Sequence, residues 1–328
     1  MTIHAPQLVN ALNHGAVGDE VADDTAALQA AINAAGPGGT VYIGPGVRLR
    51  ITAPVTISHD QLTITGGGRI NTTLTGDSLI IAAHDVTLRD LTIKGPGHGA
   101  AYQVGTSLIK VTGAQGQPIH RPTIDGLTIF SAPATAIRAE WTVQTVIRDC
   151  RIRNVRYAGV MLISATDALI TGNIVDGIRM DANVVNGYGL VCTDVSNDDA
   201  GRSRHVTITN NIVRNNPGWT GIDTHSGDSI VITGNQTINC ANGIAALHGN
   251  STRNYGPEDV IISNNVCARG SAPRHQRGHR LLRHVPLGAD HGHAHRQPRR
   301  RLLRPLPGQL PRPRHAPRQQ RHRLMETP

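Results

Sequence analysis

The sequence predicts an all-β solenoid of stacked parallel coils, and three observations predict it. An eight-residue phrase recurs seven times, the same position of that phrase becomes asparagine in four consecutive copies, and the pattern throughout is strand-like rather than helical. The phrase is an alternating strand closed by a turn. It reads VTLRDLTI from Val86, TVIRDCRI from Thr145, ALITGNIV from Ala168 and VTITNNIV from Val206, then IVITGNQT from Ile230 and VIISNNVC from Val260. Its sixth position is Leu91, Leu127, Cys150, Asn173, Asn211, Asn235 and Asn265, at intervals of 36, 23, 23, 38, 24 and 30 residues. The period is therefore about 23, with insertions.

One such unit cannot bury its own apolar face, so each coil must stack on the next at about 4.8 Å per rung. The Val, Ile and Leu of the phrase then point inward. The four asparagines lie above one another and bond side chain to side chain, at a bend whose left-handed backbone Asn tolerates. A β-sandwich with Asn-rich turns is the alternative, but sandwiches do not repeat one residue at one phase.

The chain opens with a cap for the exposed end of the stack. Asp24 is the expected N-cap of a helix over TAALQAAINAA, with Leu28, Ala31, Ile32 and Ala35 on one face, ended by Gly36 to Gly39. Strand TVYIGPG begins at Thr40. The boundaries expected are a cap over 1–50, rungs over 51–268 and a tail over 269–328. The runs GDEVADDTAALQAA (Gly18 to Ala31) and GGTVYIGPG (Gly38 to Gly46) resemble the opening of the pectate-lyase-like right-handed β-helices, a group that includes polysaccharide lyases, some glucanases and phage tailspikes. The resemblance, with the rungs, covers roughly residues 8 to 268. It implies a right-handed parallel β-helix with an N-terminal capping helix, and a polysaccharide partner.

Charge is unevenly spread. The 328 residues carry a formal charge of +9, yet residues 1–268 hold 17 Lys and Arg against 21 Asp and Glu. The last 60 residues contain 15 Arg, eight His and nine Pro, with no Ile, Asn, Phe, Tyr or Trp. Such a segment lacks what a strand needs and is expected to be unfolded. It reads as an arginine-rich arm for nucleic acid, as a metal-binding tract around His291, His293 and His295, or, preferred here, as out-of-frame translation of a GC-rich gene. On that preference no nucleic-acid partner is expected. Shifted by one base, HRQPRRRLLR (His295 to Arg304) admits Thr-Gly-Asn-x-Val-Asp-Gly, the same run as Thr171 to Gly177.

The four cysteines form no zinc or redox motif, although Cys240 and Cys267 lie about one rung apart. No run is apolar enough to span a membrane, and MTIHAPQLVNALNHG lacks a secretory pattern. An extracellular or virion-associated protein without a leader, or an incomplete gene, is the expectation.

Aligning strands on the turn that follows gives AIRAE (Ala136 to Glu140), GVMLI (Gly159 to Ile163), GLVCT (Gly189 to Thr193), GIDTH (Gly221 to His225) and GIAAL (Gly243 to Leu247). The second and fourth columns are apolar or small, hence inward. The third and fifth then face outward, placing Asp223 and His225 side by side on the exterior. A carboxylate beside an imidazole is a compact acid–base unit. It suits abstraction of the proton next to a uronate carboxyl, given a group that stabilises the developing charge.

The segment TGIDTH (Thr220 to His225) resembles the Tyr-Gly-Phe-Asp-Pro-His signature of mannuronan epimerases and related β-helix lyases. That resemblance implies catalytic places for Asp223 and His225. Thr220 stands where the family has tyrosine, and Thr224 where it has proline. Tyr188, one rung earlier in the same column, is the candidate substitute. His248 is a second candidate imidazole, one step from the His225 column, while Arg179 and Arg202 are the candidate substrate-binding cations with Thr220. A solvated surface pair is the bland alternative.

Met161, Ile163, Val191 and Leu247 surround the pair as an outward apolar patch, the wall of a sugar groove or the interface of a homotrimer. Hydrolysis is the other chemistry considered. Asp198 and Asp199 in SNDDAGRSR are adjacent acids, but their order does not match the polygalacturonase pattern. With Asp194 this loop is polar enough for calcium, against the alternative of a solvated insertion; no cofactor is otherwise implied. Three functions remain open: a lyase or epimerase of a uronic-acid polymer, a tailspike that binds or cleaves a surface glycan, and a scaffold without catalysis.

Overall fold

The computed structural model describes residues 7–97, 99–179, 181, 186–194, 201–248 and 255–269. Over them the chain is a right-handed parallel β-helix. Ten short strands stack as one sheet, from Leu8–Asn10 through Thr40–Tyr42 to Ile261–Ser263. Fifteen others form a second sheet that bends into two faces. The bend is visible in the long strand Ile212–His225, whose start pairs with Ile174–Ile178 and whose end pairs with Tyr188–Thr193. Each coil thus has three faces: the first precedes the repeated turn, the second follows it, and the third carries GIDTH.

The inward columns are as the alternation requires. Ile137, Val160, Leu190 and Ile222 pair in succession and are fully buried, as are Ala139, Leu162, Cys192 and Thr224. Burial of one Ile or Leu in such a column contributes about 1.5–3 kcal/mol. The register reaches Ile244 and Ala246 in the next coil, and His225 pairs with Leu247.

The turn column also superposes. Asn173 Nδ2 donates to Asn211 Oδ1, Asn211 Nδ2 to Asn235 Oδ1 and Asn235 Nδ2 to Asn265 Oδ1, each at 3.0 Å. Each ladder oxygen also accepts a backbone N–H of the preceding coil, Asn211 Oδ1 from Asn173 N at 2.9 Å and Asn173 Oδ1 from Cys150 N at 3.0 Å. The left-handed residue, however, is the fifth position of the phrase and not the ladder residue itself. Asp90, Gly126, Asp149, Gly172, Asn210, Gly234 and Asn264 all have φ between 53° and 68°. Asp, Asn and Gly are the residues that tolerate this region, which explains their alternation there. The ladder residue is free to be chosen for its amide.

The N-terminal helix Thr25–Ala35 buries Leu28, Ala31, Ile32 and Ala35 against the first coil, as expected. Its cap differs from expectation. Asp23 Oδ1 accepts from Thr25 N at 3.1 Å, whereas Asp24 makes no capping bond. Buried Asp24 instead accepts from Val17 N at 2.7 Å and Arg50 N at 3.1 Å, tying the lead-in to the first coil.

In the last described coil Ile261 and Val266 are 57% and 58% exposed. The tail beyond Arg269 and the acids Asp198 and Asp199 lie outside the described residues. Among the described residues no helix is long and apolar enough to cross a membrane.

Candidate functional site

A column of glycines positions the strands of the third face. A methyl group on Gly189 would stand 2.3 Å from both Gly221 O and Val213 Cγ1, and one on Gly159 2.6 Å from Gly189 O. At these two positions only glycine lets the coil close against the one that follows it. The residue before each glycine and those two and four after it are thereby set outward, as Tyr188, Val191 and Thr193 in one coil and Thr220, Asp223 and His225 in the next.

Outward does not mean exposed. Asp223 turns away from the lumen, in the column Arg138, Met161, Val191, Asp223, Ala245, but its exposure is 0%. This corrects the expected exterior display of both groups. Met161, Ile163 and Val191, expected as an open apolar patch, are likewise 5%, 4% and 1% exposed. They form a second small core outside the coil with Ala158 and Tyr188, and Tyr157 and Trp219 pack on it. Half of the chain's eight aromatic side chains belong to this outer side: Tyr102, Tyr157, Tyr188 and Trp219.

The rings run in series. Tyr102 meets Tyr157 at 6.0 Å between centroids, Tyr157 meets Tyr188 at 5.5 Å, and Tyr188 meets His225 edge-on at 5.5 Å. Arg156 lies over Tyr102 at 5.1 Å and pairs with Asp181 at 2.6 Å.

At the end of this series His225 Nε2 is 3.3 Å from Asp223 Oδ1, within ion-pair reach but without hydrogen-bond alignment. Both Asp223 oxygens, His225 Nε2, Thr220 Oγ1 and Trp219 Nε1 are buried with no hydrogen-bond partner. A carboxylate stripped of water is strongly disfavoured unless a charge compensates it, and the His225 imidazole stands within ion-pair reach of this one. The imidazole side chain keeps 16% exposure, so it is the reachable member of the pair. Burial pushes the Tyr188 hydroxyl well above its ordinary value, with the nearby Tyr157 and Asp223 adding to it, and so keeps it a proton donor.

The other predicted residues divide. Thr220 is fully buried beside Tyr188 in the adjoining coil. His248 is exposed, one residue past the partner of His225. Arg179 is exposed at the end of Ile174–Ile178, and among the described residues no bond joins its side chain to the pair. Arg202 is 4% exposed and engaged throughout: its Nε donates to Ser226 O at 2.8 Å, its Nη2 to Gly256 O at 3.0 Å, and its Nη1 pairs with Glu258 at 3.1 Å. It fastens loops together. Arg138, three rungs below Asp223 in the same column, is the cation that sequence reasoning overlooked, although the column alignment contained it. It donates to Glu140 and to Met161 Sδ.

Among the described residues no three His, Cys, Asp or Glu side chains form a cluster able to hold a metal ion. Asp194 accepts from the Tyr255 hydroxyl at 2.8 Å. All four cysteines are free.

Two sequence families match. One, described as "right handed beta helix region", covers residues 77–267; the other, "rhamnogalacturonase A/epimerase, pectate lyase-like", covers residues 8–85. None of the curated proteins matches in sequence. Among solved structures, the catalytic unit of the α-1,3-glucanase of Streptomyces thermodiastaticus is similar over 79% of this chain and 46% of its own, at 19% identity and TM-score 0.63. The Yersinia enterocolitica family 28 exopolygalacturonase is similar over 81% and 60%, at 15% identity and TM-score 0.59. The enzymatically active domain of tailspike protein 2 of bacteriophage CBA120 is similar over 81% and 43%, at 15% identity and TM-score 0.54. The chain thus spans 43% to 60% of the length of these structures, and identities so low speak for the fold alone.

Proposed function

Since the chain belongs to the right-handed β-helix family, we propose that it acts on a uronic-acid-containing polysaccharide by proton abstraction at His225. The observation that carries this reading is the fully buried Asp223 carboxylate, without a hydrogen-bond partner, 3.3 Å from an imidazole that still reaches solvent. A stranded carboxylate is a standing cost, of the kind tolerated where it tunes a functional group. Asp223 does not touch the substrate. It holds the Nε2 side of the ring and leaves Nδ1 for the sugar.

His225 then takes the proton from C5 of a uronate. In elimination the C5–H pair becomes the C4–C5 double bond, the C4–O bond breaks, and the departing oxygen takes a proton from the Tyr188 hydroxyl. Return of a proton to the opposite face of C5 is epimerisation instead. Arg138 and Lys110, in the same outward column, are suited to carboxylates of neighbouring sugars.

The protein is incubated with alginate, polygalacturonate and bacterial exopolysaccharides. Rising ultraviolet absorbance reports elimination, and a changed uronate ratio by NMR reports epimerisation. His225→Ala is expected to lower the rate about 10²–10⁴-fold, the usual weight of a general base. New reducing ends without the ultraviolet band indicate hydrolysis and overturn the proton-abstraction reading. Binding without any turnover leaves a tailspike-like glycan-binding role.

A further inference from the structure

The second face, on the far side of the corner from the catalytic pair, has a charge pattern that the body as a whole lacks. Its outward side chains form two continuous columns. One runs Arg48, Arg69, Thr92, Thr128, Arg151. The other runs Arg50, Asn71, Lys94, Phe130, Arg153, Asp176, Arg214. Seven cations therefore share a strip of seven rungs, whose six steps span about 29 Å. They sit on a body that has more acids than bases. Among the described residues two carboxylates answer them directly. Glu20 takes Lys94 at 2.9 Å and lies 3.9 Å from both Arg48 and Arg69, and Asp176 takes Arg214 at 2.9 Å. Arg151 and Arg153 are exposed and make no ion pair among the described residues.

A second, independent feature lies in the strip. A cleft of about 290 Å³ is lined by Glu20, Arg50, Asn71 and Lys94. Asn71 is 7% exposed; its Nδ2 donates to Leu49 O at 3.2 Å, while its Oδ1 is buried with no donor. A buried acceptor of this kind is destabilising until something donates to it. The cleft thus offers cations for an anion and an acceptor for a hydroxyl. Next along the column stands the chain's sole phenylalanine, Phe130, with Arg69 over its ring at 5.9 Å, a flat apolar surface of the kind that takes the C–H face of a sugar.

We infer that this face is a second binding surface, for an acidic polysaccharide laid along the coil axis from the Asn71 cleft to Arg214. It rests on the proposed function only for the glycan class. Hydroxyls favour a glycan over DNA or polyphosphate, because neither of those backbones has a donor for Asn71 Oδ1. Guanidinium forks at successive rungs suit carboxylates repeated at about the spacing of one sugar. The face would hold a polymer while the third face works on another stretch of it, which explains how a mildly acidic body retains a polyanion.

The test is affinity electrophoresis of the full chain through gels containing polygalacturonate, alginate, neutral dextran or polyphosphate. Retention by the two polyuronates, and not by dextran, is expected. Arg151→Glu with Arg153→Glu should weaken it about 10-fold or more and flatten its salt dependence. Asn71→Thr should weaken it with the circular dichroism spectrum unchanged. His225→Ala should leave it intact. Polyuronate retention unaltered by the charge reversals overturns the inference, as does equal or stronger retention by polyphosphate. Retention without turnover keeps this surface and overturns the catalytic reading; turnover with retention insensitive to Arg151 and Arg153 does the reverse.

Discussion

Asp223 lies over Val191 in the adjoining coil, and the position that accepts a valine in one rung holds an unbonded carboxylate in the next. Restoring the apolar residue should therefore stabilise the protein while destroying the acid–base pair. Asp223→Val is expected to raise stability by about 1–3 kcal/mol, the penalty of an unsatisfied buried group, and to abolish turnover. A lowered melting temperature would mean that the carboxylate is satisfied after all. Asp23 gives the opposite case. Its bonds from Thr25 and Thr52 hold its carboxyl down at about 2. The unfolded value is about 3.9, so its contribution is complete above that pH and is lost as pH falls through 2. Asp23→Asn should lower the denaturation midpoint at pH 7, with the deficit shrinking below pH 4 and gone below pH 2. At this scale the sequence was an uneven guide. It identified Asp223 and His225 as neighbours but not the burial of the acid, because Tyr157 and Met161 come from a coil two rungs before that of Trp219 and share no motif with it.

The element that organises the stack is the turn. Asn211 satisfies the coil on each side of it, accepting from Asn173 N and Nδ2 and donating to Ile170 O and Asn235 Oδ1. Asn173 stands at the ladder's start, where its neighbour below is Cys150. Leucine fits the same place in earlier coils, where Leu91 and Leu127 are buried. Volume is therefore not at issue, and the difference between two substitutions isolates the hydrogen bonds. Asn211→Leu should cost about 2–4 kcal/mol and Asn173→Leu measurably less, by urea denaturation. Equal losses would show that the amides do not act as a chain. The ladder was legible because one residue recurred at one phase. The hinge residue beside it was not, since it alternates among Asp, Asn and Gly and only the backbone angle unites them.

Over the whole molecule, stability is a sum of coils and of the interfaces between them. The central coils are buried on both sides, whereas strands Ile261–Ser263 and Val266–Ala268 are the most open of those described. Amide exchange should be slowest over 123–178 and fastest at 261–268, graded rung by rung. A uniform exchange rate would deny that the stack behaves as a series. The coil, its register and its inward columns were readable in advance because periodicity carries them. The basic strip was not, because its charges alternate with other residue types along each strand and align only once the rungs are superposed.

The constant angle at the hinge has a consequence for ancestry. Because every circuit closes on itself at the same joint, a stretch such as 123–145, whose first residue pairs with Val146, is a complete loop of thread. Removing or copying it shortens or lengthens the spool without unwinding its neighbours. Deletions or duplications of one full circuit are therefore the changes such a gene survives, and those one residue off turn every later side chain inside out.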